Sequence, residues 1–202
     1  MTDGEGAGGE PSDRVWTIPN VLSILRLIGI PVFLVLLLWA RQDAWALVVL
    51  MLAGATDWLD GKLARLLDQQ SRLGALLDPL ADRLYMLAIP IALGMRDIVP
   101  WWLVAVLIGR EVVLAGTVPL LRSRGVIALP VLYLGKAATF ALMYGLPMAL
   151  AGTFDNWIGR IMHPLGWAFL VWGTGLYLWT LALYWYQTVL VVRRMPKVHA
   201  HF

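Results

Sequence analysis

The sequence predicts an all-α integral membrane protein of six transmembrane helices, preceded by a short N-terminal interfacial helix. Three observations carry this prediction. Of 202 residues, 60% are hydrophobic and only 14% are charged, and the mean hydropathy is +0.73, far above that of soluble domains. Apolar runs recur along the chain, and about six spans of roughly 20 residues account for its length with little left for a soluble domain. Lys and Arg gather at alternate breaks between the runs, which is an orientation signal.

In chain order, residues 1–13, "MTDGEGAGGEPSD", are Gly-rich and polar, with little to bury, and are expected to form a disordered tail. This tail lacks the basic start and apolar run of a signal peptide, so none is expected. In "TIPNVLSILRL", Pro19 and Asn20 offer a helix start and Arg26 sits among apolar residues, a pattern that an interfacial helix feeding the first span would explain. Spans are expected near 20–40, 43–66, 74–95, 100–122, 131–152 and 164–192. The last is long enough to tilt or to extend beyond the membrane. One membrane domain, 14–195, then stands between the tail and a C-terminal segment, 196–202. There is no cysteine, which excludes disulfides and thiolate metal sites.

Charge sets the orientation. With a cytoplasmic N-terminus, that side receives Arg14, Arg26, Lys62, Arg65, Arg72, Arg122, Arg124, Arg193, Arg194 and Lys197, whereas the far side receives Arg41, Arg96 and Arg160. Ten against three is a strong inside bias. It puts "ATDWLDGKLARLLDQQSRLGALLDPLAD", residues 55–82, at the cytoplasmic ends of the second and third spans.

That window holds Asp57, Asp60, Asp78 and Asp82. At about 100° per residue, Asp57, Asp60, Gly61, Ala64 and Arg65 share one helix face, and Gly74, Asp78 and Asp82 share a face of the next. Pro79 removes a backbone donor beside Asp78 and is a candidate kink. Four uncompensated carboxylates in a membrane helix pair would cost on the order of 10 kcal/mol, and Arg65 alone cannot neutralise them. Two divalent cations would, and hard oxygen ligands suit Mg²⁺ or Mn²⁺. Since Mg²⁺ commonly binds through carboxylates together with substrate phosphates, phosphoryl chemistry on a diphosphate is the natural inference. Gly61, Ala64 and Gly74 would let a bulky ligand approach the backbone. The plainer reading pairs individual aspartates with Arg65, Arg72 or Arg83 as surface ion pairs. A cation transporter would also explain intramembrane carboxylates, but neither the small residues nor Arg65 at their offsets.

The spacing D-x2-D-G-x2-A-R-x8-G-x3-D-x3-D, formed by Asp57, Asp60, Gly61, Ala64, Arg65, Gly74, Asp78 and Asp82, resembles the signature of the CDP-alcohol phosphatidyltransferases. The resemblance implies that Asp57, Asp60, Asp78 and Asp82 hold two divalent ions, Mg²⁺ or Mn²⁺. It implies that Asp82 is also the general base, and that Asp57, Gly61, Ala64, Arg65 and Gly74 bind CDP-diacylglycerol. A homodimer in a bacterial inner (plasma) membrane, with no nucleic-acid partner, is what the family leads one to expect.

The acceptor alcohol is read from the rest of the chain. Family members acting on glycerol phosphate often carry "GKxKT", whereas Gly135-Lys136-Ala137-Ala138-Thr139 stands here, with alanine for the second lysine. One cation suits a phosphodiester better than a phosphomonoester. Together "TIPNVLSILRLIGIP", "LDPLADRLYML", "GREVVL" and "LGKAATF" resemble the cardiolipin synthases of this family, the kind shared by actinobacteria and mitochondria, whose acceptor is phosphatidylglycerol. Phosphatidylglycerophosphate synthase and phosphatidylinositol-phosphate synthase are the alternatives. Arg110 and Lys136 are the expected acceptor contacts, although Arg110 and Glu111 also read as ionised partners that orient helices. His163 is expected in an outer loop and His199 and His201 in the tail, none at ligand spacing. Trp16, Trp39, Trp101, Trp102 and Trp157 fall near span ends, as an interfacial belt would place them.

Overall fold

The computed structural model describes the backbone of residues 18–67, 74–124 and 133–194, with the side chains of 18–20, 57–67, 74–76, 78, 79, 122 and 194 outside that description. Both expected tails, 1–13 and 196–202, also lie outside the described residues, as do Trp16, His199 and His201. Every described element is helical. Helix α1 spans Ile18–Leu34 and runs into a π-helical segment, Val35–Trp39; α2 spans Asp43–Leu67, α3 Gly74–Met95, α4 Trp101–Arg122, α5 Tyr133–Ala151 and α6 Trp157–Arg194. Where composition pointed to one compact unit, the chain divides into two between Ala92 and Leu93.

Among the described residues, four helices are long and apolar enough to cross a membrane: Val21–Trp39, Trp101–Leu121, Tyr133–Ala151 and Trp157–Arg193. The described side chains of α2, Asp43–Thr56, form a shorter apolar stretch, and the aspartate window follows it in the sequence. Helix α3 has 22 residues, enough to span at about 1.5 Å each, but Asp78, Asp82 and Arg83 interrupt its apolar run.

In the first unit, α1 packs against α2. No separate interfacial helix precedes the span among the described residues, since α1 is unbroken from Ile18 through Pro31. Arg26 is 3% exposed. After the π segment Arg41 takes a positive φ of 51°, and Gln42 N–H donates to Leu36 O while Gln42 O accepts from Ala46 N–H, which opens α2. Asp43 in the first turn of α2 complements the helix dipole.

The turn from α3 to α4 is a Schellman cap. Ile98 N–H donates to Leu93 O, Asp97 N–H donates to Gly94 O, and Asp97 adopts φ 54°, the left-handed position usually given to glycine. Pro100 then opens α4 from an extended backbone.

In the second unit, α5 and α6 form an antiparallel hairpin at backbone-contact distance. A Cβ on Gly166 would lie 2.7 Å from Ala149 N, and one on Gly173 would lie 3.0 Å from the Leu142 side chain. Without a strong hydrophobic drive between helices in lipid, small residues supply this close packing. Hydropathy places the start of the sixth span at 164, with His163 in a loop before it. The helix instead begins at Trp157 and includes both His163 and Pro164. The physical reason is a cap: Asn156 Oδ1 accepts a hydrogen bond from Gly159 N–H at 3.1 Å, satisfying an N-terminal donor. With 38 residues, α6 is about 57 Å long, well beyond the hydrocarbon thickness. Trp39, Trp101, Trp102 and Trp157 all sit at helix ends and are exposed.

Candidate functional site

Two groups of predicted site residues lie in separate units. In the first, the backbone of α2 carries Asp57, Asp60, Gly61, Ala64 and Arg65, and that of α3 carries Gly74, Asp78 and Asp82. Because both stretches are helical, the first five positions fall within an arc of about 140°, and the last three within about 80°. Helix α3 continues through Pro79. The side chains of Asp57, Asp60, Gly61, Ala64, Arg65, Gly74 and Asp78 lie outside the described residues.

Asp82 is described, and it has a partner that the sequence reading did not choose. Arg26 Nη1 on α1 donates to Asp82 Oδ1 at 3.1 Å. The two ends differ in environment, the arginine side chain being 2% exposed and the aspartate 61%. Tyr85, one turn beyond Asp82, donates its hydroxyl to the Arg26 carbonyl oxygen at 3.0 Å. A Cβ on Gly29 would lie only 2.7 Å from that hydroxyl, so glycine is what allows Tyr85 to reach α1. Alongside lies an apolar cavity of about 220 Å³ bounded by Arg26, Gly29, Val32, Leu52, Thr56 and Tyr85. Arg26 was not among the counter-charges, Arg65, Arg72 and Arg83, that the sequence offered for the aspartates. The available signal was an arginine in an otherwise apolar stretch, which is costly unless paired.

In the second unit, Arg110 and Lys136 come together. Both line a pocket of about 440 Å³ with Thr139, Phe140, Met143 and Tyr184. Its composition is cationic at one part and apolar at another. Lys136 Nζ stands 5.7 Å from the centre of the Tyr133 ring, within the range of a cation–π attraction. Arg110 Nη1 donates to Glu111 Oε1 at 2.7 Å, so these two residues are ion-paired while Arg110 also lines the pocket. The Arg110 Nε is buried with no hydrogen-bond partner among the described residues. Tyr177 on α6, which the sequence reading did not consider, donates to the same Glu111 oxygen at 2.5 Å. Its ring also lies under the Arg110 guanidinium, 4.1 Å from the ring centre.

Ala138, the position of the missing second lysine, does not line this pocket. It is fully buried on α5, on the face that carries Ala141, Leu142 and Gly145.

Comparison with known proteins agrees with the spacing of the aspartates. The family model of the CDP-alcohol phosphatidyltransferases matches residues 16–172. A Mycobacterium tuberculosis protein named "Putative cardiolipin synthase" is 53% identical over 186 residues, covering 92% of this chain and 89% of that protein. "Cardiolipin synthase (CMP-forming)" of Streptomyces coelicolor is 49% identical over 191 residues, covering 92% and 87%. A CDP-diacylglycerol–glycerol-3-phosphate 3-phosphatidyltransferase of Cereibacter sphaeroides is 37% identical over 144 residues, covering 68% and 65%. A match over most of the chain, on a helical membrane fold carrying the whole motif, removes the transporter reading: the chain belongs to the CDP-alcohol phosphatidyltransferase family.

Proposed function

We propose that the protein transfers the phosphatidyl group of CDP-diacylglycerol to a hydroxyl of phosphatidylglycerol, giving cardiolipin and CMP. The observation that carries this choice is the pocket holding Arg110 and Lys136 beside Phe140 and Met143. With Arg110 already paired to Glu111, the pocket offers little more than one uncompensated cation, which suits a phosphodiester, and the apolar wall suits an acceptor that arrives from the bilayer, since exposing acyl chains to water costs roughly 0.8 kcal/mol for each CH₂. The two relatives at 53% and 49% identity carry cardiolipin synthase names, which supports the same reading. The relative at 37% carries a glycerol-3-phosphate transferase name, and that is the second reading; a phosphatidylinositol-phosphate synthase is the third.

In this mechanism Asp82 accepts the proton of the acceptor hydroxyl. The oxygen attacks the phosphorus that bears the diacylglycerol, the bond from that phosphorus to the CMP oxygen breaks, and CMP leaves. Asp57, Asp60, Asp78 and Asp82 form an all-carboxylate donor set without His or Cys, which fits two Mg²⁺ or Mn²⁺ ions. Such ions, when bound, supply charge neutralisation at the pyrophosphate. Gly61, Ala64 and Gly74 leave room for the nucleotide, and Arg65 offers a two-point contact to phosphate oxygens. Arg110 and Lys136 bind the phosphodiester of the acceptor lipid. The inside bias of basic residues supports a cytoplasmic N-terminus and aspartate window in a bacterial plasma membrane, and likeness to the family supports a homodimer.

The test uses purified protein in lipid with CDP-diacylglycerol and Mg²⁺, offered phosphatidylglycerol or glycerol 3-phosphate. Cardiolipin and CMP should form from phosphatidylglycerol, with glycerol 3-phosphate used poorly. A higher kcat/KM for glycerol 3-phosphate would move the assignment to the second reading.

A further inference from the structure

We propose that Tyr177 is a positioning residue for acceptor recognition, holding Arg110 in place through Glu111 and through the face of its own ring. This rests on the reading of the Arg110 and Lys136 pocket as the acceptor site.

An arginine presents phosphate with a planar fork, and its value depends on the orientation of that plane. A guanidinium on a long side chain has several rotamers to lose. Here two contacts fix it: Nη1 on Glu111 Oε1 at 2.7 Å, and the cation face over the Tyr177 ring at 4.1 Å. Glu111 alone would be a poor anchor, since its side chain is 41% exposed and can turn away. Tyr177 is 2% exposed and donates to the same carboxylate oxygen. One buried tyrosine on α6 thus restrains both members of the α4 pair. Tyr177 is absent from the residues lining the pocket, so its influence on the acceptor passes through Arg110.

The hydroxyl and the ring separate cleanly in Tyr177→Phe, which keeps the ring under Arg110 and removes the donor to Glu111. The expected result is a KM for the acceptor raised about tenfold or more, the worth of one hydrogen bond to a charged group, with kcat and the KM for CDP-diacylglycerol within about twofold. The acceptor used is whichever one the assay above selects. Arg110→Ala should raise the same KM, and adding Tyr177→Phe to Arg110→Ala should change nothing further, because the residue through which Tyr177 acts is gone. Equal effects of Tyr177→Phe with and without Arg110 would show a merely structural role and overturn the proposal. A silent Tyr177→Phe beside a damaging Arg110→Ala overturns it while leaving the acceptor reading intact. A silent Arg110→Ala overturns both. If Tyr177→Phe does not purify folded, Glu111→Gln puts the same question from the exposed end, and an unchanged acceptor KM there would equally refute the proposal.

Discussion

Arg26 and Asp82 form an ion pair at 3.1 Å in which the cation is buried and the carboxylate is open. The asymmetry has a use. In the proposed mechanism a buried arginine held by packing on α1 would fix one oxygen of the carboxylate that takes the acceptor's proton, while Tyr85 ties the same stretch of α1 to α3. Truncating Arg26 would leave a void and take this donor from the carboxylate.

Arg26→Ala should therefore lower both stability and turnover, by about 1–3 kcal/mol in unfolding free energy and at least about tenfold in kcat, since a small misplacement of a reacting group is costly. Arg26→Lys should recover much of the stability but less of the rate, because one ammonium cannot reproduce a planar donor. Thermal unfolding and CMP release measure the two. Equal recovery of both by lysine would mean that Arg26 supplies charge only.

Asp82→Asn and Asp78→Ala should fail differently. In Asp82→Asn the amide still fills the place of the carboxylate but cannot accept the acceptor's proton, so CDP-diacylglycerol binding should persist while turnover falls by about 100-fold or more. Asp78→Ala removes a proposed metal ligand, and binding of CDP-diacylglycerol at ordinary Mg²⁺ should fall with the rate. Isothermal titration with and without Mg²⁺ separates the cases. Parallel loss in both variants would make Asp82 chiefly a ligand.

The helices were legible because hydropathy and charge act residue by residue, and the starts of α2 and α4 and the ends of α3 and α5 follow the expected spans closely. What escaped depends on partners distant in sequence. Nothing local to Arg26 reveals that Asp82, 56 residues on, receives it. Tyr177 went unremarked because nothing local in its apolar run points to Glu111, 66 residues away. The early start of α6 was available in the text, since Asn156 stands three residues before Gly159, but Pro164 drew the boundary forward. The motif aspartates were legible as a pattern because helical spacing alone aligns them.

Gly166 tests the hairpin. An alanine there would place its Cβ 2.7 Å from the backbone nitrogen of Ala149, and backbone cannot yield as a side-chain tip can. Gly166→Ala should destabilise the protein by about 1–3 kcal/mol. Gly175→Ala, where nothing lies within 4 Å, should be close to neutral or slightly stabilising, since helical glycine carries an entropic cost. Thermal unfolding in detergent compares them, and similar Tm values would mean that α5 and α6 do not approach this closely.

Restoring the second lysine, as Ala138→Lys, asks whether acceptor choice can be rewritten at one position. Ala138 has no exposure and shares its face with Ala141, Leu142 and Gly145, the side on which Gly173 of α6 approaches Leu142. A lysine there must displace a packed helix or bury its ammonium, and part of its stem can run toward the helix end before the charge is desolvated. Overpacking and desolvation together should cost about 2–4 kcal/mol, or roughly 5–15 °C in Tm for a chain of this size. The pocket with Arg110 and Lys136 would gain no second charge, so glycerol 3-phosphate should remain a poor acceptor in the CMP-release assay. A variant that keeps its Tm and gains kcat/KM for glycerol 3-phosphate would show that residue 138 reaches the acceptor after all. The absence of a second lysine would then be the specificity determinant itself, and not a consequence of how α5 packs.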